Sequence, residues 1–174
     1  MLQRRNVFDI TEFFDGPVSA TGIFEDRSGA VTRRFTVRMN GAYDADGAFV
    51  LSEDFAYDDG ETQSRSWNIK KGGRDRFLGT APDIFGTVEM IATPSGVRME
   101  YLHEIKVGGR VVVLRFHDQI HAIDECTAFG RTRVTKLGVT VGQVSIFFMR
   151  KSPGDVPRLD APGADEPQTE TSVA

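Results

Sequence analysis

The stretch Phe49-Val50-Leu51-Ser52-Glu53-Asp54-Phe55-Ala56-Tyr57-Asp58-Asp59-Gly60-Glu61-Thr62-Gln63-Ser64-Arg65-Ser66-Trp67-Asn68-Ile69-Lys70 reads as two strands and a turn. On the first strand, residues two apart put Phe49, Leu51, Glu53, Phe55 and Tyr57 on one face. On the second, Arg65, Trp67 and Ile69 share a face, with Thr62, Ser64, Ser66, Asn68 and Lys70 opposite. Asp58-Asp59-Gly60 is a three-residue loop with glycine at the left-handed position. Counting back from that loop pairs Tyr57 with Glu61, Phe55 with Gln63, Glu53 with Arg65 and Leu51 with Trp67. The turn alone therefore sets the two inward charges opposite each other, where cross-strand Cβ atoms lie about 5 Å apart.

The same alternation extends outward in both directions. In residues 31–39, Val31, Phe35, Val37 and Met39 face one way and Thr32, Arg34, Thr36 and Arg38 the other. A helix would put Arg33, Arg34 and Arg38 into its apolar stripe, so the strand is preferred. Further strands are expected at 19–25, 48–57, 61–70, 74–80, 85–92, 97–107, 110–120 and 140–150. Short turn motifs separate many of them, including Asp26-Arg27-Ser28-Gly29, Pro94-Ser95-Gly96 and Gly108-Gly109. Such short connections exclude a parallel sheet. A meander of this size closes or forms a sandwich, and closure removes the exposed edges. The expectation is an all-β, antiparallel, lipocalin-like (calycin-type) barrel of about 8–10 strands, wide enough for one small ligand. Residues 121–138 read as a strand plus a long loop. Lys71-Gly72-Gly73-Arg74 leaves the register of 74–80 open, pointing either Phe77 and Gly79 or Leu78 and Thr80 inward.

A second hairpin turns on Gly108-Gly109 and pairs Val107 with Arg110, Ile105 with Val112, His103 with Leu114 and Tyr101 with Phe116. Tyr101, His103 and Asp118 thereby join Glu53, Arg65, Tyr57 and Trp67 as the inward polar and aromatic set, the candidate ligand-binding residues. Leu102, Val111 and Val113 point outward, to be covered by a partner or by residues 1–18.

Residues 1–18 form a polar lead ending in Ile10-Thr11-Glu12-Phe13-Phe14, a single helical turn across one barrel end. Residues 19–151 are the barrel domain. Residues 152–174 are rich in Pro, Gly, Asp, Glu, Thr and Ser and read as a disordered acidic tail. The net charge of −4 and the scattered arginines argue against nucleic acid. No apolar run approaches the roughly 20 residues of a membrane-spanning helix. The one cysteine, Cys126, cannot form an internal disulfide. No signal-like apolar stretch follows Met1, so a cytoplasmic location is expected. Phosphate-loop, dinucleotide and nucleophile-elbow motifs are missing. His117, His121, Asp124 and Cys126 lack the spacing of a familiar metal site. No metal or cofactor is expected, and the oligomeric state is open.

Several runs together resemble a known family. They are Phe14-x-Gly16, Gly22-Ile23-Phe24-Glu25-Asp26-Arg27-Ser28-Gly29, Leu51-x-Glu53-x-Phe55-x-Tyr57-Asp58-Asp59-Gly60 and Arg65-x-Trp67. Gly79-x-Ala81-x-Asp83-Ile84-x-Gly86 and Gly138-Val139-x-Val141-Gly142 complete the pattern. This resembles an uncharacterised bacterial family, domain of unknown function family 3833. The resemblance implies a lipocalin-like barrel and carries no assigned activity.

Three functions fit these readings. One is binding of a small hydrophobic or amphiphilic ligand, lipid-like and acidic, with Arg65 gripping its head. Another is a cofactor-independent lyase or isomerase with Glu53 as acid or base, assisted by Tyr57, Tyr101 or His103. The third is a structural or interaction domain without a small ligand.

Overall fold

The computed structural model describes residues 7–107 and 109–150. Residues 1–6, Gly108 of the second hairpin turn and the expected tail over 152–174 lie outside them. Within the described residues the chain forms one short helix, α1 (Ile10–Phe13), and ten strands. These are β1 (Gly16–Asp26), β2 (Val31–Tyr43), β3 (Phe49–Tyr57), β4 (Thr62–Lys71) and β5 (Arg76–Thr80). They continue as β6 (Val88–Thr93), β7 (Gly96–Val107), β8 (Arg110–Ala122), β9 (Thr127–Lys136) and β10 (Val139–Arg150). Each strand pairs antiparallel with its sequence neighbours, and β1 pairs with β10 to close the barrel. Closure removes the two end edges that an open sheet of these strands would expose.

The two sequence-derived registers hold. Glu53 faces Arg65 and Leu51 faces Trp67 across β3 and β4. His103 faces Leu114 and Tyr101 faces Phe116 across β7 and β8. Gly60 has φ +86, the left-handed conformation that closes the first hairpin. The open register resolves with Ile69 opposite Gly79 and Lys71 opposite Phe77, so Phe77 points inward. That loop is longer than expected, because Gly72 N–H donates to the Arg76 carbonyl and the strand begins only at Arg76. The expected strand at 85–92 starts later as well, at Val88.

Residues 121–138 correct the expectation of a long loop. The Asp124 carboxylate accepts from the N–H groups of Cys126 and Thr127 at 2.8 and 2.7 Å and tightens a short turn. The chain then runs on as the ten-residue strand β9. Its Gly130 and Thr132 weaken the apolar alternation that marks the other strands.

The barrel has two unlike ends. At one, the Asp9 carboxylate caps α1 by accepting from Thr11 N–H at 2.9 Å. The capped turn sets Ile10, Phe13 and Phe14 into the barrel as a plug. Phe14 meets Phe148 edge-on with centroids 5.3 Å apart, and Phe8 N–H donates to the Thr93 carbonyl at 3.0 Å. Gly41 is required there, because a Cβ would run into the Phe14 carbonyl and the Phe49 ring. The plug does not cover the outer face of the second hairpin; Val111 and Val113 stay exposed.

At the other end, β5 and β6 are too short to fill the wall. β4 pairs with β5 only over Asn68–Lys71, and β6 pairs with β7 only over residues 96–99. The segment 81–87 lies in the remaining gap. It is fixed along β7 by Phe85 N–H donating to the Leu102 carbonyl and Glu104 N–H donating to the Asp83 carbonyl. This segment brings Asp83 to the barrel interior.

Candidate functional site

Strand parity turns Glu53, Arg65, Tyr101, His103 and Asp118 inward, and the gap-filling segment adds Asp83. The Arg65 guanidinium is the hub. Its Nε donates to Asp83 Oδ1 and Oδ2 at 3.1 and 2.9 Å, and its Nη2 lies 2.8 Å from Asp83 Oδ2. This is the planar fork-to-carboxylate arrangement that makes arginine pairs strong. Glu53 is further off, with Oε2 3.7 Å from Arg65 Nη1. The expected Glu53–Arg65 pair is therefore adjacent but secondary, and Asp83 is the principal partner. Cross-strand register fixed the Cα positions, while the long arginine side chain turned to the better-aligned carboxylate.

His103 completes the cluster. Its Nε2 lies 2.9 Å from Asp83 Oδ2 and 3.1 Å from Arg65 Nη2. Arginine can only donate and Asp83, ionised, can only accept. Of the two neighbours the Asp83 oxygen is the nearer to Nε2, and a carboxylate oxygen that close needs a donor. The proton therefore belongs on Nε2, donated to Asp83, and Nδ1 carries a free lone pair. Burial first, and the Arg65 charge second, lower the His103 pKa to about 4, so the ring is neutral. Gln63 Nε2 also donates to Asp83 Oδ2 at 3.3 Å, and Tyr57 O–H donates to Gln63 Oε1 at 3.2 Å. Burial would raise Asp83, but the hydrogen bond and charge of Arg65 outweigh it and hold the carboxyl below its ordinary value.

The other two carboxyls behave in the opposite way. Burial raises Glu53 to about 7; Arg65 pulls it down while Asp83 and Asp118 push it up. Burial also raises Asp118, which accepts from Tyr101 O–H at 2.8 Å. Among the described residues, four buried side-chain atoms lack a hydrogen-bond partner: Arg33 Nε, Glu53 Oε2, His103 Nδ1 and Asp118 Oδ1. Three of these belong to the inner cluster.

These groups line a cavity of about 1160 Å³ that runs from Ile10 and Phe14 at the plug to Asp59 and Glu61 at the mouth. Glu61 is 74 % exposed, so the cavity reaches solvent there. Phe35, Leu51, Phe55, Met90, Met99, Phe116 and Ile146 supply apolar wall. Trp67 and Tyr101 meet edge-on at 5.7 Å within it. Near the mouth, the Arg33 guanidinium lies 3.6 Å over the Tyr57 ring and 2.6 Å from both Asp59 and Glu61. All seven sequence-derived candidates thus line one cavity: Glu53, Tyr57, Arg65, Trp67, Tyr101, His103 and Asp118.

Sequence reasoning missed Asp83 and Arg33. Arg33 shares parity with Phe35 and could have been counted inward. Asp83 lies in an irregular segment where parity has no meaning; its signal was its place in the Gly79-to-Gly86 run. His117 and His121 do not gather a metal set: His117 pairs with Glu100 at 2.9 Å and Asp124 serves its turn. Cys126 is exposed. Among the described residues, no helix is long and apolar enough to cross a membrane.

A closed antiparallel barrel with a ligand-sized, solvent-reachable interior and a buried polar cluster defines a lipocalin-like barrel protein. The chain belongs to the family described as protein of unknown function (DUF3833), which it matches over residues 1–150. No functionally curated protein matches it. Among solved structures it is similar to a protein of unknown function from the DUF3598 family of Nostoc punctiforme, at 14% identity and TM-score 0.62, covering 83% of this chain. This chain spans half the length of that protein. It is also similar to the S-type phycobiliprotein lyase from Guillardia theta, at 8% identity and TM-score 0.58, covering 82% of this chain and 91% of the lyase. Both likenesses are of fold.

Proposed function

We propose that the barrel binds one small amphiphilic ligand, its apolar body among the aromatic and aliphatic walls and its polar end at the inner cluster. The observation that carries this reading is the cavity itself. Its volume is slightly above the roughly 300–1,000 Å³ of ordinary ligand sites, and its wall combines an apolar majority with polar groups gathered at the inner cluster and at the mouth. A protein with a purely structural role would fill such space with side chains. The carboxylate head expected from sequence has a specific obstacle, because Asp83 already occupies the Nε–Nη2 edge of Arg65. An acid would have to displace Asp83 or use Nη1. Native mass spectrometry of the purified protein, with solvent extraction of what it carries, tests the proposal. A releasable bound mass is expected. Consistently empty protein that also binds no amphiphile would overturn it.

A second reading rests on Glu53. Its carboxyl is not consumed by Arg65, lines the cavity and holds its proton up to about 7. A carboxyl tuned in this way suits general acid or base work near neutral pH. Decarboxylation, hydration or isomerisation without a cofactor would use it. The shared fold with a phycobiliprotein lyase supplies a shape and not a reaction. Turnover of any candidate substrate that survives Glu53→Gln unchanged would remove this reading.

A further inference from the structure

We infer that the inner cluster selects a ligand whose head group donates hydrogen bonds, a protonated amine or amidine, over one that carries a carboxylate. The inference rests on the cavity-binding reading above and names its ligand class. It follows from an inventory of donors and acceptors. Most donors facing the cluster are committed; the exception is Arg65 Nη1, which lies 3.7 Å from Glu53 Oε2. Arg65 gives Nε and Nη2 to Asp83, Gln63 gives its amide to Asp83, and Tyr101 gives its hydroxyl to Asp118. The other groups left over are acceptors: Glu53 Oε2, His103 Nδ1 and Asp118 Oδ1. Glu53 and His103 are only 8 % and 7 % exposed, so bulk water does not compensate them.

The charges agree with the inventory. Arg65 and Asp83 neutralise each other at 2.8 Å. Glu53 and Asp118 then stand as two carboxyls with no cation of their own, Glu53 sharing Arg65 at 3.7 Å. Burial raises both, because the charged form of each is the costlier one in the empty cavity. A ligand ammonium would place a fixed positive charge there and supply donors to the orphaned acceptors. A ligand carboxylate would bring a further acid group beside them and no donor.

The test uses three probes with the same tail: decylammonium, decanol and decanoate, each below its aggregation threshold at pH 7.5. Trp67 is the chain's one tryptophan and lines the cavity, so its fluorescence reports occupancy. Decylammonium is expected to bind roughly tenfold or more tighter than decanoate, the worth of one charge-assisted hydrogen bond. Glu53→Gln should erase most of that preference, and Asp118→Asn supplies the same readout if the first variant fails to fold. Equal affinity for the three probes, or a preference for decanoate, overturns the head-group inference and leaves the cavity reading standing. A preference unchanged in both variants overturns the assignment to this cluster. Binding of none of the probes overturns the cavity reading itself, and the inference with it.

Discussion

The plugged end and the polar half of this barrel are built from the same strands on the same alternation, yet they end in opposite physical states. Around the plug, inward positions carry Phe14, Phe49, Ile69 and Phe148, all buried, and glycine stands where rings and backbone meet most closely. Further along the same strands, inward positions carry Glu53, Arg65 and His103 around open space. One half is packed as a core, and the other holds polar groups that folding alone does not satisfy. Stability should therefore concentrate at the plug, and sensitivity to pH and ligand at the cluster.

The sharpest way to break this contrast is to truncate one aromatic in each half. Phe14→Ala should cost about 3–5 kcal/mol, since the ring is 1 % exposed and packed on Phe13 and Phe148. Phe55→Ala should cost about 1 kcal/mol, because that half-buried ring already borders a void and its loss adds little new cavity surface. Urea unfolding of the two variants measures the difference. Equal losses would mean that the polar half is packed as tightly as the plug.

The next effect is a dependence on pH with two opposing signs. Glu53 goes from 4.5 when unfolded to about 7 when folded. Between those values the native state binds more protons than the unfolded state, so stability falls as pH rises. That difference corresponds to about 3 kcal/mol, fully lost above pH 7. His103 goes from 6.5 to about 4, so its contribution is present above 6.5 and is lost as pH falls through 4. Over pH 4.5–6.5 the two slopes oppose and largely cancel. Glu53→Gln should expose the histidine slope, its stability relative to the parent rising by about 3 kcal/mol from pH 4.5 to 7. His103→Gln should shift in the opposite sense. Parallel curves for parent and variants would show that neither group is desolvated as the structure places it.

A smaller effect probes the plug from its backbone. Gly41→Ala puts a methyl against the Phe14 carbonyl and the Phe49 ring and should cost about 1–3 kcal/mol. Unlike Phe14→Ala, it should be partly rescued by trimming Phe49 to Leu, because that ring is one of the two obstacles. Failure of the rescue would place the constraint on the backbone contact alone.

The two halves also differ in how far they could be read from the sequence. Period-two alternation and the Gly60 turn fix Cα partners, so the register of β3 with β4 and the inward set were legible. Alternation does not say which of two carboxylates a long arginine will choose. Glu53 was its register partner, but Asp83 arrives from a segment with no period and offers better fork geometry. The plug was legible as a short apolar run before Gly16-Pro17, because such a run has few places to go other than a barrel end. β9 was legible only as a strand somewhere in 121–138, its length mistaken for loop, because its inward positions include Gly130 and Thr132, which blur the apolar count.

The mildest test lies at the end away from the plug, in the turn between β9 and β10. Leu137 is 97 % exposed and has φ +50, a left-handed conformation that its side chain disfavours. Nothing packs against it to offset that strain. Leu137→Asn keeps the turn and relieves part of the penalty, since asparagine tolerates this region better. Stability should rise by about 0.5–1 kcal/mol with ligand binding unchanged. A loss instead would show that Leu137 is held by a contact the isolated barrel does not contain. Tolerance there, beside the cost of a single methyl at Gly41, would place the packing constraint at the plug and leave the rim free to vary.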